Sequence, residues 1–228
     1  HSGVAASAIA MDKATAKVLL AHKGVPCPVG VVRHRRDLMA DALPLPLPCV
    51  LKPVCEGSSV GVFLVHSQDD WRAALADLPG GHSWWLVEEY VPGRELTVPV
   101  MSGQALPIIE ICPKSGWYDY ASKYQDDVHA DFVVPADVPE EIAEQARSLA
   151  VLAHQALHCR GVSRSDWRYN PDAPPGKQLW FLEINTQPGM TPLSLLPASA
   201  ASAGITFLQV IEACLECALE EGLPSTSL

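Results

Sequence analysis

The sequence predicts an α+β fold, in which strands and helices mix without the regular alternation of a parallel α/β protein. Three observations carry that expectation. Short apolar runs bounded by Gly, Pro, Ser or Asn recur between residues 49 and 111 and again between 161 and 185. Helix-forming stretches stand at 12–22, 67–78, 139–158, 193–203 and 207–221. No internal repeat and no low-complexity segment occurs.

The elements can be justified in chain order. Residues 12–22 read as a helix capped by Asp12 and stopped by Gly24 and Pro26. Pro44, Pro46 and Pro48 lead into a short strand at 49–52, and 60–65 read as a second strand. Between them lies the loop Glu56-Gly57-Ser58-Ser59, so the pair is expected to be hairpin-like. In 67–78, Trp71, Ala74 and Leu78 share one helical face. Strands follow at 84–90, 95–100 and 106–111, with turns at Pro92-Gly93 and Ser102-Gly103. Residues 113–133 have no clear period. They hold three tyrosines and two lysines, which reads as a functional loop rather than a disordered one. A long helix at 139–158 precedes strands at 161–169 and 178–185, joined by the turn-rich NPDAPPGK. Two helices end the sequence.

Composition narrows the function. At 228 residues there is material for one large domain or two small ones. Apolar residues make up 48% and charged residues 18%, as in ordinary globular proteins. The formal net charge of -10 argues against nucleic-acid partners and against a polybasic membrane contact. No apolar run approaches the length of a membrane span. The opening HSGVAASAIAMDK lacks the basic start of a secretory signal, and its first residue is His, so an earlier start is expected. Seven scattered cysteines, an odd number, point to reduced thiols and a cytoplasmic setting. Cys214 and Cys217 form a lone C-x-x-C in a helical stretch and read as small apolar residues. His154 and His158 lack the zincin pattern and read as helix-surface residues.

The two late strands hold the strongest chemical signal. Side chains two apart on a strand share a face, so Arg164 aligns with Asp166, and Glu183 aligns with Asn185. If the strands pair, one surface gathers a guanidinium, two carboxylates and an amide oxygen. Hard oxygen donors of this kind suit Mg²⁺, and two carboxylates on a half-buried face need a cation. A salt-bridged polar face is the simpler reading of either pair alone. The full run R-x-D, spacer, E-x-N-T-x-P-G-M favours the metal. Its last turn offers backbone N–H groups to an anion. Lys52, at a strand end before a hydroxyl-rich loop, is suited to phosphates, although no Walker A motif occurs. Together these features suggest a nucleoside triphosphate held between two sheets. Glu88, the 89–91 backbone and Glu95 have the chemistry to meet a base and a ribose, or to form a charged hairpin edge.

SGVAASAIAMDK, KPVCEGSSVGV, VEEYVPGREL, YDYASKY, CRGVSRSDWRYN and LEINTQPGMTPLSLLP together resemble the ATP-grasp superfamily, and within it the D-alanine–D-alanine ligase family. The resemblance covers essentially the whole chain. It implies two α+β subdomains clasping ATP between their sheets, with ATP and two Mg²⁺ ions (or Mn²⁺) as cofactors. It also implies the joining of two D-alanines through an acyl phosphate, for peptidoglycan synthesis. By position, Lys13 and Lys52 match phosphate contacts. Glu56, Ser58 and Ser59 match the loop over the phosphates and first substrate. Glu88, Glu89, Val91 and Glu95 match the adenine and ribose contacts, and Lys123 and Tyr124 match a closing loop. Arg164 matches the arginine that stabilises the transition state, and Asp166, Glu183 and Asn185 match the metal ligands. Gly189 matches an oxyanion-hole amide. Ser194 and Leu195 match the pocket for the second substrate's carboxylate. Ser58, Tyr124, Arg164 and Gly189 are the residues expected to act in catalysis.

The resemblance also implies a domain ahead of residue 1. The expected division is then a linker at 1–12, a central subdomain at 13–95 and a catalytic subdomain at 96–228, with a homodimer in the full-length form. Two alternatives stay open. One is a related ligase, such as one forming D-alanyl-D-lactate, against which Tyr124 argues because D-lactate forms usually carry His there. The other is a nucleotide-binding fragment that does not ligate.

Overall fold

The structure, a computed structural model, describes residues 1–40, 42–57, 59–113, 131–191 and 194–222. It contains two antiparallel sheets. Strands β1 (Gly30–His34), β2 (Cys49–Pro53), β3 (Phe63–Val65) and β4 (Trp84–Glu89) form the first, in the order β1-β4-β2-β3. The two-residue period sorts their side chains. Cys49, Leu51, Trp85 and Val87 turn one way and meet Leu38 of helix α3 (Arg35–Ala40) and Trp71 and Ala74 of α4 (Gln68–Ala76). Fully burying Leu51 or Val87 contributes about 1.5–3 kcal/mol each, which fixes that face inward. Val50, Lys52, Leu86 and Glu88 turn the other way. Helix α4 starts on a capping box in which Asp70 N–H donates to Ser67 Oγ at 3.1 Å and Ser67 N–H to the Asp70 carboxylate at 2.9 Å.

The second sheet holds β5 (Arg94–Met101), β6 (Gln104–Ala105), β7 (Ile109–Cys112), β8 (Asp131–Val133), β9 (Val162–Tyr169) and β10 (Leu179–Asn185), in the order β10-β9-β5-β7-β8, with β6 on β5. Its apolar face, including Leu96, Val98, Trp167, Phe181 and Ile184, packs on α5 (Glu140–Ala156). Helices α6 (Leu195–Ser202) and α7 (Phe207–Gly222) meet Leu106 and Val162 in a smaller core. No single helix among the described residues is long and apolar enough to cross a membrane.

Several expectations change. Residues 4–11, read as part of a linker, form helix α1 (Val4–Met11) with Ala6 and Ala10 buried. Helix α2 (Lys13–His22) was grouped with the first sheet, yet Ala16 and Leu20 pack in the core of the second. The expected strand at 60–65 shrinks to three residues because Ser59 and Gly61 take positive φ and prolong the turn. The strand expected at 106–111 is interrupted around Pro107, which has no N–H for a ladder. His154 is buried rather than on the surface, and its Nδ1 lies 2.7 Å from Ser163 Oγ. His158 is exposed, as expected. The 113–133 loop falls almost entirely outside the described residues, and so do the assignments of Lys123, Tyr124 and Ser58.

Candidate functional site

A cleft enclosing about 800 Å³, measured out to its open mouth, lies between the polar faces of the two sheets. Lys52, Glu56, Ser59, Glu88 and Glu89 line it from the first sheet and its loop. Glu95, Asp166, Arg168 and Glu183 line it from the second.

A β-bulge assembles the floor. Phe181 pairs with Trp167, and both rings are buried in the core. Strict alternation from Phe181 would point Glu183 into that core as well. Instead the register slips at Leu182, so that Glu183 pairs with Asp166 and Asn185 with Arg164. The extra residue therefore moves Glu183 and Asn185 onto the cleft face. Asp166 is buried and highly coordinated. It accepts from Arg164 Nε at 3.1 Å and Nη2 at 3.0 Å, and from Thr97 Oγ1 at 2.6 Å. Glu183 pairs with Lys13 at 3.1 Å. Asn185 Oδ1 accepts from Gln187 N–H at 2.8 Å and shapes the turn that follows.

Lys13, the first residue of α2, joins three parts of the site. Its backbone N–H donates to Val54 O at 3.1 Å, just past β2. Its ammonium reaches the Glu56 carbonyl as well as Glu183. The Glu56 carboxylate accepts from Gly57 N–H at 3.1 Å and lies 3.4 Å from His82. Glu88, at 2% exposure, bridges Lys52 and Lys17. Burial would raise its pKa, but the two ammonium groups outweigh burial and hold the carboxyl below the ordinary range. Gly30 makes this approach feasible, since a Cβ there would stand 3.1 Å from Glu88 Cγ.

The hinge between β4 and β5 holds Glu89, Val91 and Glu95. Arg168 Nε donates to the Val91 carbonyl at 3.1 Å, Nη2 donates to the Gly93 carbonyl at 2.5 Å, and Nη1 faces Glu95 at 3.6 Å. At the far end, Ser194 Oγ accepts from Thr191 N–H at 3.0 Å. A Cβ on Gly189 would stand 2.6 Å from this hydroxyl oxygen, so a larger residue there would displace the Ser194 side chain. Leu195 is the first residue of α6.

The structure thus gathers Lys13, Lys52, Glu56, Ser59, Glu88, Glu89, Val91, Glu95, Asp166 and Glu183 around one cleft. Arg164 and Asn185 adjoin its floor through register and hydrogen bonds. Ser194 and Gly189 form a neighbouring pair. The sequence reading missed Lys17 and Arg168. The i,i+4 spacing of Lys13 and Lys17 could have flagged the first, and the two-residue period Arg164-Asp166-Arg168 the second. Among the described residues, no three His, Cys, Asp or Glu side chains gather as a metal group. The donor set on the floor is instead two carboxylates and one amide. These hard oxygens suit Mg²⁺ or Mn²⁺, ions that retain water or phosphate oxygens as further ligands.

Residues 31–216 match the family model for the D-Ala–D-Ala ligase C-terminus. A D-alanine–D-alanine ligase of Acidiphilium cryptum is 50% identical over 210 residues, covering 91% of this chain and 67% of the relative. One from Erythrobacter litoralis is 46% identical over 224 residues, covering 96% and 68%. Among solved structures, the D-alanine–D-alanine ligase of Bacillus anthracis complexed with ATP superposes with a TM-score of 0.77 at 27% identity. That match covers 96% of this chain and 68% of the other. The VanG D-Ala:D-Ser ligase of Enterococcus faecalis gives a TM-score of 0.79 at 28% identity, covering 95% and 64%.

Proposed function

The chain belongs to the D-alanine–D-alanine ligase family, and from that premise we propose the following assignment of its cleft. The reaction is the ATP-dependent joining of two D-alanines, a step of peptidoglycan synthesis. The observation that carries the assignment is the bulge at Leu182, which sets Glu183 and Asn185 beside Asp166 and Arg164 on a floor facing Lys52.

In the proposed first step, a carboxylate oxygen of one D-alanine attacks the γ-phosphorus of ATP. The bond from that phosphorus to the bridging oxygen breaks, leaving ADP and an acyl phosphate. Charge accumulates on the transferring oxygens, and Lys13 and Lys52 of the cleft lining, with Arg164 beside the floor, are assigned to meet it. Asp166, Glu183 and Asn185 would hold Mg²⁺, which when bound neutralises phosphate charge. Arg164 and Asp166 hold one another in a bidentate pair, which keeps the guanidinium aimed along the floor.

In the second step, the amine of the other D-alanine attacks the acyl carbon. The tetrahedral oxyanion needs donors, for which Arg164 and the Gly189 N–H are assigned. Collapse expels phosphate and forms the amide, with the amine proton lost. Ser194, which shapes the loop at Gly189, is assigned with Leu195 to the second substrate's carboxylate. At the base end, Glu88, Glu89 and Val91 are assigned to adenine and Glu95 to the ribose hydroxyls.

The test is D-alanine-dependent release of ADP and phosphate in equal amounts. Arg164→Ala is expected to lower turnover by about 10²–10³. Near-native turnover of that variant would refute its role. Mg·ATP binding with no phosphate release on adding D-alanine would favour a nucleotide-binding fragment instead. Competition among D-alanine, D-serine and D-lactate as second substrate is expected to favour D-alanine.

A further inference from the structure

Glu88 is bound by one lysine more than its charge requires. Its Oε1 meets Lys17 and its Oε2 meets Lys52, and all three side chains are buried. The cluster therefore holds two positive charges and one negative charge where little water reaches. The two lysines are not equivalent. Lys52 and Glu88 line the cleft, whereas Lys17 reaches Glu88 from α2. Lys17 faces the Glu88 carboxylate of β4, the Lys52 ammonium of β2 and the Cys27 thiol ahead of β1.

We propose that Lys17 is a positioning residue for nucleotide binding, serving as the permanent counter-ion of Glu88 while Lys52 is exchanged from Glu88 to the phosphates. This rests on reading the cleft as the ATP site. In the structure Lys52 is held on Glu88. A polyphosphate competes for it as a stronger anion. With only Lys52 available, that exchange would strand a buried carboxylate without a partner, which is strongly unfavourable. With Lys17 in place, Glu88 keeps one cation throughout and the cluster goes from net +1 to neutral. Burial, reinforced by Lys52 and opposed by Glu88, pushes Lys17 down to about 8. Departure of Lys52 removes the repulsion and lets Lys17 hold its proton more tightly.

Isothermal titration of Mg·ATP into the whole chain tests the proposal without requiring turnover. Lys17→Met is expected to weaken binding about 10–100-fold at neutral pH, a loss limited by protonation of Glu88. Affinity of this variant should then tighten as pH falls from 8 to 6, because Glu88 takes up the missing proton. Lys17→Arg should bind like the unaltered chain. A lysine that merely supported the fold would not produce the acid-side gain, nor its loss in Lys17→Arg. Should Lys17→Met fail to fold, the unaltered chain gives its own readout. Near pH 8.5, binding measured in buffers of different ionisation enthalpy should show net proton uptake. Equal affinity and equal pH dependence for Lys17→Met and the unaltered chain would overturn the proposal, as would no proton uptake by the unaltered chain. If the unaltered chain does not bind Mg·ATP at all, the assignment of the cleft fails first, and that result is distinct from either of these.

Discussion

Gly93→Ala should loosen the hinge that joins the two sheets. Gly93 sits at φ +108°, a conformation L side chains rarely adopt. A Cβ there would stand 2.9 Å from both Asn170 Cα and the Tyr169 carbonyl carbon, and closer still to the carbonyl oxygen. Ordinary contact begins at 3.4 Å, so the hinge must retreat from β9 by at least about 0.5 Å. None of the obstructing atoms is the end of a flexible side chain, so backbone has to move. Strained φ costs about 1–3 kcal/mol, and forced displacement of packed atoms adds about 1–3 kcal/mol. A destabilisation of about 2–6 kcal/mol lowers the Tm of a chain this size by roughly 4–24 °C. Because Val91 and Glu95 flank the displaced residue, Mg·ATP affinity should fall by about tenfold as well. Calorimetry and titration measure the two effects. Gly80→Ala is the control, since a Cβ at Gly80 meets nothing within 4 Å. It should change stability by no more than about 0.5 kcal/mol. A Gly93→Ala protein indistinguishable from Gly80→Ala in both assays would refute the steric reasoning.

Two further outcomes follow from the same geometry. Arg168→Met removes donors to the Val91 and Gly93 carbonyls, so adenosine and ATP should both bind about tenfold more weakly, in parallel. Unchanged adenosine binding would show that Arg168 does not organise the base end. His154 is held neutral because burial lowers its pKa. The unfolded chain takes up a proton near pH 6.5 that the folded chain takes up only at lower pH, so the stability contribution is complete above pH 6.5 and is lost as pH falls from there through the lower folded value. Urea unfolding at pH 7 and pH 5 should therefore show a shallower loss for His154→Gln than for the unaltered chain, and equal losses would count against a buried neutral ring.

The sequence made the hairpin around the Gly/Ser loop, the apolar face of α4 and the pairing of the late strands legible, because each rests on local chemistry. Trp71, Ala74 and Leu78 recur at helical spacing and are buried together, and the spacer NPDAPPGK brings β9 back to β10. The elements that went unread lack such signals. Helix α1 is built of small residues with little amphipathic contrast, and β1 has no clean alternation of buried and exposed positions. Long-range geometry was the other blind spot. The slip at Leu182 is fixed by the core demand of Phe181 and Trp167, and residue types alone do not announce it. Glu88 was legible as a polar residue of the cleft, but its lysine from α2 was not, because 71 residues separate Lys17 from it. His154 looked superficial because Ser163, its partner, lies on the following strand.

The most direct measurement is the Mg²⁺ dependence of ATP binding, taken on the unaltered chain and on Asp166→Asn and Glu183→Gln. ATP should bind at least about tenfold more tightly with Mg²⁺ than with a chelator, a difference of about 1.4 kcal/mol. Both substitutions should shrink that gain. Equal binding with Mg²⁺ and chelator, or a gain that survives both substitutions intact, would contradict the assignment of the floor as the cation site.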